Sequence, residues 1–276
     1  MTFFEAIVSN HFLLWATLAG LLASVVGGII GTYVVVKRIA FITGSISHSV
    51  LAGIGFSVWL ERTQGISSGS PIIGALIAST ISAMIIGYIH ISYRQREDSV
   101  IAAVWSIGMA LGVLFIAQTP GFAVELTNFL IGNILWVTPQ DLILLAILDA
   151  VVIVVVVFLH EKLLAICFDE EQARLQGIHT HRLYILLLTL IAAAVVLLMQ
   201  VVGIILVMTQ LTLPPTIANI FTKKMKSMML LSIILSCLFS FFGTLLAFQL
   251  DLPVGATIAL LAGAAYLAAI AKKRLH

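Results

Sequence analysis

The sequence predicts an all-α integral membrane protein, a polytopic bundle of about nine transmembrane helices with one broken or re-entrant segment. Three observations carry this. Of 276 residues, 61% are apolar and only 9% are Asp, Glu, Lys or Arg, where a soluble domain holds roughly a quarter charged residues. Apolar runs long enough to cross a hydrocarbon core of about 30 Å recur along the chain. The basic residues sit in short clusters between those runs, as topology signals do, so the net charge of +2 gives no reason to expect a nucleic-acid partner. The chain reads as a single transmembrane domain over residues 1–276. Cys167 and Cys237 are the only cysteines, so neither a disulfide framework nor a cysteine metal cluster is implied.

Phe12–Val36 is the first span, with Ala23, Gly27 and Gly31 at four-residue spacing as a close-packing face. It is too long for the apolar core of a cleavable signal peptide, and Glu5 stands where basic residues would precede one. Ile46–Leu60 is a short second span, Pro71–Ile91 the third and Val100–Gln118 the fourth, ended by Thr119-Pro120-Gly121. Phe122–Val137 carries Glu125, Asn128 and Asn133, and reads as a helix at the membrane surface or dipping in and out. Leu142–Leu159 is the fifth span, followed by a polar segment over 160–182. Leu183–Phe221 is too long for one crossing and reads as two, with Gln200-Val201-Val202-Gly203 near the middle and the second crossing broken at Pro214-Pro215. Met228–Phe248 and Val254–Ala271 complete the set.

With Lys37 and Arg38 placed in the cytoplasm, crossing by crossing, every other Lys and Arg also falls inside except Arg62. The positive-inside rule thus favours an outside N-terminus and a cytoplasmic C-terminus. The same division makes 160–182 cytoplasmic.

The stretch Ile39–Gly55 puts His48 inside an apolar helix otherwise made of small residues. Ser45, Ser49 and Gly53 form one stripe at helical spacing, and Gly44, His48 and Ala52 the next. Small residues at every fourth position let helix backbones approach closely in a membrane. One reading of His48 is a buried imidazole satisfied by a neighbouring serine or carbonyl. The other is a group facing a transport path, since intramembrane ionisable residues are costly and mark pathways. Neutral imidazole is a ligand for Zn, Fe or Mn.

Other polar residues carry two readings each. Asp149, in mid-span, is a second ligand or proton carrier, or else a carboxyl held in an interhelical hydrogen bond or kept protonated by burial, and the latter reading is favoured. Glu125 falls near the outer surface, as a pore-entrance or partner contact or an ordinary solvated carboxylate. Met208 and Gln210 line the path beside the broken helix, or pack. Asp169, Glu170 and Glu171 followed by Gly177 are the expected ends of a short capped helix. His179 and His181, with a spacing of two, read as a metal-binding pair or a solvated one, and the latter is favoured. There is no G-x-x-x-x-G-K-[ST] phosphate loop, H-E-x-x-H or G-x-S-x-G motif. Ser45 and Ser47 beside His48 lack an orienting acid, which leaves a serine hydrolase without support.

Several stretches together resemble the permease subunits of bacterial ATP-binding-cassette importers for zinc, manganese and iron. They are Lys37-Arg38-Ile39 through Gly53, Leu130 through Asp141 around Trp136, Phe168 through Ile178, Val202-Gly203 through Pro214, and Asp251-Leu252-Pro253-Val254-Gly255. The resemblance runs in order from about Gly20 to the C-terminus. It implies a permease of the bacterial cytoplasmic membrane that is not itself an enzyme and holds no permanent cofactor. Its implied partners are cytoplasmic ATPase subunits, an extracytoplasmic metal-binding protein and a second permease subunit, in a lipid bilayer. Transport would proceed by alternating access, with His48, Gly44, Ser45, Ser47, Met208 and Gln210 along the path. Asp169, Glu170, Glu171, Ala173, Arg174 and Gly177 would form the segment that couples to the ATPase. Many members carry Asp where this chain has Gly44, so the choice among Zn, Mn and Fe stays open. Pro215 and Asn219 also depart from the family pattern, which more often has a small residue and a basic one there. The rival reading is a proton-coupled secondary metal transporter using His48 and Asp149.

Overall fold

Lipid offers no hydrogen-bond partner to a backbone amide or carbonyl, so each apolar run must satisfy its polar groups internally, as a helix. The computed structural model describes residue 5 and residues 10–65, 70–93, 97–119 and 137–274. Within them the helices are α1 (His11–Val36), α2 (Ala40–Gln64), α3 (Pro71–Tyr93), α4 (Glu97–Ala117) and α5 (Pro139–Phe168). They continue with α6 (Glu170–Leu175), α7 (Thr180–Phe221), α8 (Met225–Leu250) and α9 (Val254–Arg274). All but α6 are long and apolar enough to cross a membrane, which makes eight candidate spans among the described residues. The segment 122–136, expected at the membrane surface, lies outside the described residues, and Glu125 with it.

Three boundaries differ from the sequence expectation. First, α2 begins at Ala40, so the Gly/Ser stretch before Ile46 is helical and the second span has 25 residues. Hydroxyls that compete with a helix elsewhere bond back into it here. Thr43 Oγ1 donates to the Ala40 carbonyl, Ser47 Oγ to that of Thr43 at 2.8 Å and Ser49 Oγ to that of Ser45 at 2.9 Å. Second, α5 runs to Phe168 rather than stopping at Leu159. His160, Leu163, Ile166 and Cys167 are all buried, and their three- and four-residue spacing gives the helix a continuous buried seam beyond Leu159.

Third, the long apolar run from Leu183 to Phe221 is interrupted not at its prolines but at Gly203, whose φ of 79° and ψ of 164° fall where only glycine is at ease. Pro214 and Pro215 remain inside the helix. Lacking N–H groups, they leave the Gln210 and Leu211 carbonyls without their usual donors four residues on. α1 closes on these carbonyls through glycines: a Cβ added at Gly31 would stand 2.6 Å from the Leu211 oxygen, and one at Gly27 3.4 Å from that of Gln210.

The chain forms two compact units. One contains α1, α5 up to Phe158, α7 from Leu197 onward, α8 and α9. The other contains α2, α3, α4, the end of α5, α6 and the first part of α7. In the first unit α1 and α8 pack along Gly28, where a Cβ would meet the Ile233 backbone nitrogen at 2.7 Å. In the second, α2 sits between α3 and α4. Its Gly53 lies backbone to backbone against Gly74 of α3, and Gly108 of α4 would place a Cβ 2.8 Å from the Ser49 Cα.

Candidate functional site

His48 stands at the interface between α2 and α4 in the second unit. Its ring lies on the indole of Trp105 from α4, centroids 4.5 Å apart and planes 18° from parallel. Its Nδ1 is buried and has no hydrogen-bond partner among the described residues. The serine that satisfies a buried histidine in the simplest reading is therefore not there. Ser45 Oγ donates instead to the Ile101 carbonyl of α4 at 3.0 Å, locking the two helices together one turn from His48. Ser47 and Ser49 return their hydroxyl protons to their own helix. Gly44 is buried. Trp105 in turn donates Nε1–H to Met109 Sδ at 3.1 Å, within α4.

A metal ligates imidazole through a lone pair in the ring plane. A flat neighbour that fixes the plane therefore fixes the directions from which an ion can be held. Sequence reasoning passed over Trp105. Its signal was available, as the single indole of its span, but nothing in the sequence pairs it with His48.

The other expected path residues belong to the first unit. Gln210 is fully buried, with its amide committed at both ends: Nε2 donates to Ser240 Oγ at 2.7 Å, and Oε1 accepts from Ser236. Ser240 also bonds Ser24 of α1 at 3.1 Å. This ladder glues α1, α7 and α8 together. Met208 lies half-buried two residues before Gln210. Asp149 is 6% exposed, and neither carboxyl oxygen has a hydrogen-bond partner among the described residues. The Val26 backbone of α1 lies near enough to act on this carboxyl. A further link concerns the start of α5. Asp141 accepts from the Thr138 backbone N–H and hydroxyl at 2.9 and 2.7 Å and from Gln200 Nε2 at 2.8 Å. That ties the approach to the Gly203 break to the capped end of α5.

The segment expected to meet an ATPase is a helix of six residues. Asp169 is its N-cap, its Oδ1 accepting from the Gln172 N–H at 2.9 Å. Glu170 and Glu171 occupy the first turn and Arg174 the last, each suiting the helix dipole. Gly177, at φ 79°, reverses the chain, its N–H bonding the Arg174 carbonyl while the Ile178 N–H bonds that of Ala173. This is a Schellman ending. Ala173 is buried beneath the helix, whereas Leu175 is 83% and Phe168 72% exposed. Glu170 Oε2 lies 3.4 Å from His90 Nε2, in the last turn of α3. His179 and His181 follow, and no group of three or more metal-ligating side chains occurs among the described residues.

The described residues make a polytopic α-helical membrane protein with a long span broken at Gly203, an imidazole within α2 and a short capped helix between spans. The chain belongs to the ABC 3 transport family, whose model it matches over residues 9–273. It is 48% identical to a "Probable metal transport system membrane protein" of Chlamydia pneumoniae, over 94% of this chain and 88% of that one. It is 30% identical to the manganese transport system membrane protein MntC of Halalkalibacterium halodurans, over 94% and 87%. Its fold superposes on a chain of PsaBC from Streptococcus pneumoniae, solved in complex with Fab, with a TM-score of 0.84 at 27% identity, covering 97% of this chain and 94% of that one. The family match supports the ATP-driven reading and leaves the proton-coupled alternative without support.

Proposed function

We propose that this chain is the permease subunit of an importer for a divalent transition metal (Mn, Fe or Zn), with His48 contacting the ion in transit. The observation that carries the site is the His48 imidazole, its plane set by Trp105 and its Nδ1 buried with no partner among the described residues. One such nitrogen per subunit, or two across a permease dimer, makes a weak site. Weak binding suits a path, because a tight site would trap the ion. The absence of a carboxylate at Gly44 leaves the choice among the three metals to other residues.

ATP hydrolysis belongs to separate cytoplasmic subunits that dock on the segment from Asp169 to Gly177. Two features support that reading: the exposed Leu175 beside a rigidly capped helix, and the position of this segment in the cytoplasm under the positive-inside rule. An extracytoplasmic binding protein delivers the metal on the other face. The protein sits in the bacterial cytoplasmic membrane with its N-terminus outside and its C-terminus in the cytoplasm. Gln210 and Ser45 contribute chiefly by holding helices together, since their amide and hydroxyl are committed to bonds between helices, whereas Ser47 bonds within its own helix.

The test is metal uptake into proteoliposomes containing the chain and its ATPase, wild type against His48→Ala. ATP-dependent accumulation lost in the variant, with ATP hydrolysis retained, supports the assignment. Unchanged uptake makes His48 a packing residue, and uptake indifferent to ATP in the wild type removes the importer reading itself.

A further inference from the structure

A helix of six residues is too short to hold its own position, because helix formation needs several turns to repay nucleation. Where α6 sits is therefore decided by what it touches. Two contacts are visible: the buried Ala173, and the Glu170 carboxylate facing His90 at 3.4 Å. His90 belongs to the last turn of α3, and its ring lies 4.4 Å from that of Tyr184 at the start of α7. One side chain thus joins the short helix to two spans. The pair is largely shielded, the side chains being 19% and 34% exposed.

The far part of α3 makes the closest backbone contact in this unit. Gly74 lies against Gly53 of α2, and a Cβ added at Gly74 would stand 2.5 Å from the Gly53 carbonyl oxygen. Between Gly74 and His90 α3 is continuous helix, about 24 Å of stiff rod at 1.5 Å per residue. Gly53 lies in the same helix as His48, about a turn and a half further on. A contact this tight has no slack to absorb displacement.

We infer that His90 is a positioning residue that makes α3 the lever between the ATPase-docking helix and the helix carrying His48. A shift of α6 moves Glu170, His90 carries it into α3, and the Gly74–Gly53 contact passes it to α2. The inference rests on the reading of α6 as the docking helix. It predicts that breaking the pair uncouples transport from hydrolysis rather than abolishing either assembly or ATPase activity.

The experiment uses the permease–ATPase complex in proteoliposomes with Mn²⁺ as the transported probe. It reads ATPase copurification, ATP hydrolysis and Mn²⁺ taken up per ATP for His90→Glu, Glu170→His and the double exchange. His90→Glu should lower uptake per ATP by about tenfold with the ATPase still bound and active, Glu170→His should lower uptake per ATP as far among complexes that retain the ATPase, and the exchange, which restores an acid–imidazole pair, should recover to within about threefold. Unchanged uptake per ATP in both single variants overturns the lever, as does an exchange no better than the singles. If His90→Glu fails to reach the membrane, His90→Ala, Glu170→Ala and their double form the cycle. Non-additive losses then support the pair, and additive ones overturn it. Leu175→Arg separates the two readings. Loss of ATPase copurification supports docking at α6 whatever the His90 variants do, and full retention overturns docking there.

Discussion

An imidazole that must hand on a metal ion needs its ring oriented but not saturated. Stacking does the first without consuming a nitrogen, and a serine donor would have done the opposite. In the proposed function, Trp105 is thus the residue that would hold His48 ready as a transient ligand. Replacing Trp105 with Ala should raise the metal concentration for half-maximal uptake by about tenfold, while Phe, which keeps a flat face, should recover most of the loss. A fall in maximal rate alone, with that concentration unchanged, would instead assign Trp105 to packing between α2 and α4. Gln210 makes the contrasting case. Its amide is satisfied by Ser236 and Ser240, so Gln210→Leu should lower stability by about 1 kcal/mol, read as a lower thermal midpoint in detergent.

At the scale of elements, helices in this protein meet where one backbone presses on another. α2 and α3 touch at Gly53 and Gly74 with no room for a side chain on either. Gly53→Val should overpack this contact by about 1–3 kcal/mol, and should weaken transport more than ATPase binding, measured on the same reconstituted complex. The break at Gly203 is a different kind of requirement, one of dihedral angle rather than space. Gly203→Ala should cost about 1–3 kcal/mol through φ alone, and the thermal midpoint reads it. The matching substitution Pro214→Ala, which restores an N–H to a helix already continuous there, should not lower the midpoint.

For the molecule as a whole, the pairing of His90 with Glu170 puts the end of α3 and the helix α6 on one face, the face that the basic clusters assign to the cytoplasm. Labelling of single cysteines should follow. A cysteine in place of Arg62 should react with an impermeant thiol reagent applied outside intact cells, whereas one in place of Lys224 should react only after the membrane is opened. The reverse pattern would invert the topology and move α6 away from any cytoplasmic ATPase.

Hydropathy and the small-residue stripes made the class of protein legible, because a membrane imposes helices, their minimum length and the sign of their flanking charges on any sequence that crosses it. The caps of α6 were equally plain, since Asp169 and Gly177 act through their own backbone neighbours. His48 was visible as an ionisable group with a cost to justify. Its partnership with Trp105, the orphaned carboxyl of Asp149 and the tie from Glu170 to His90 were not, because each joins residues tens of positions apart or depends on what fails to approach. The prolines misled for the same reason: proline weakens a helix locally, yet α7 continues through Pro214 and Pro215 with Gly27 and Gly31 of α1 packed closely on the freed carbonyls, while Gly203 breaks it. Local chemistry is written in the order of residues. The register in which helices press together is set by packing over the whole bundle, and tertiary structure alone decides it.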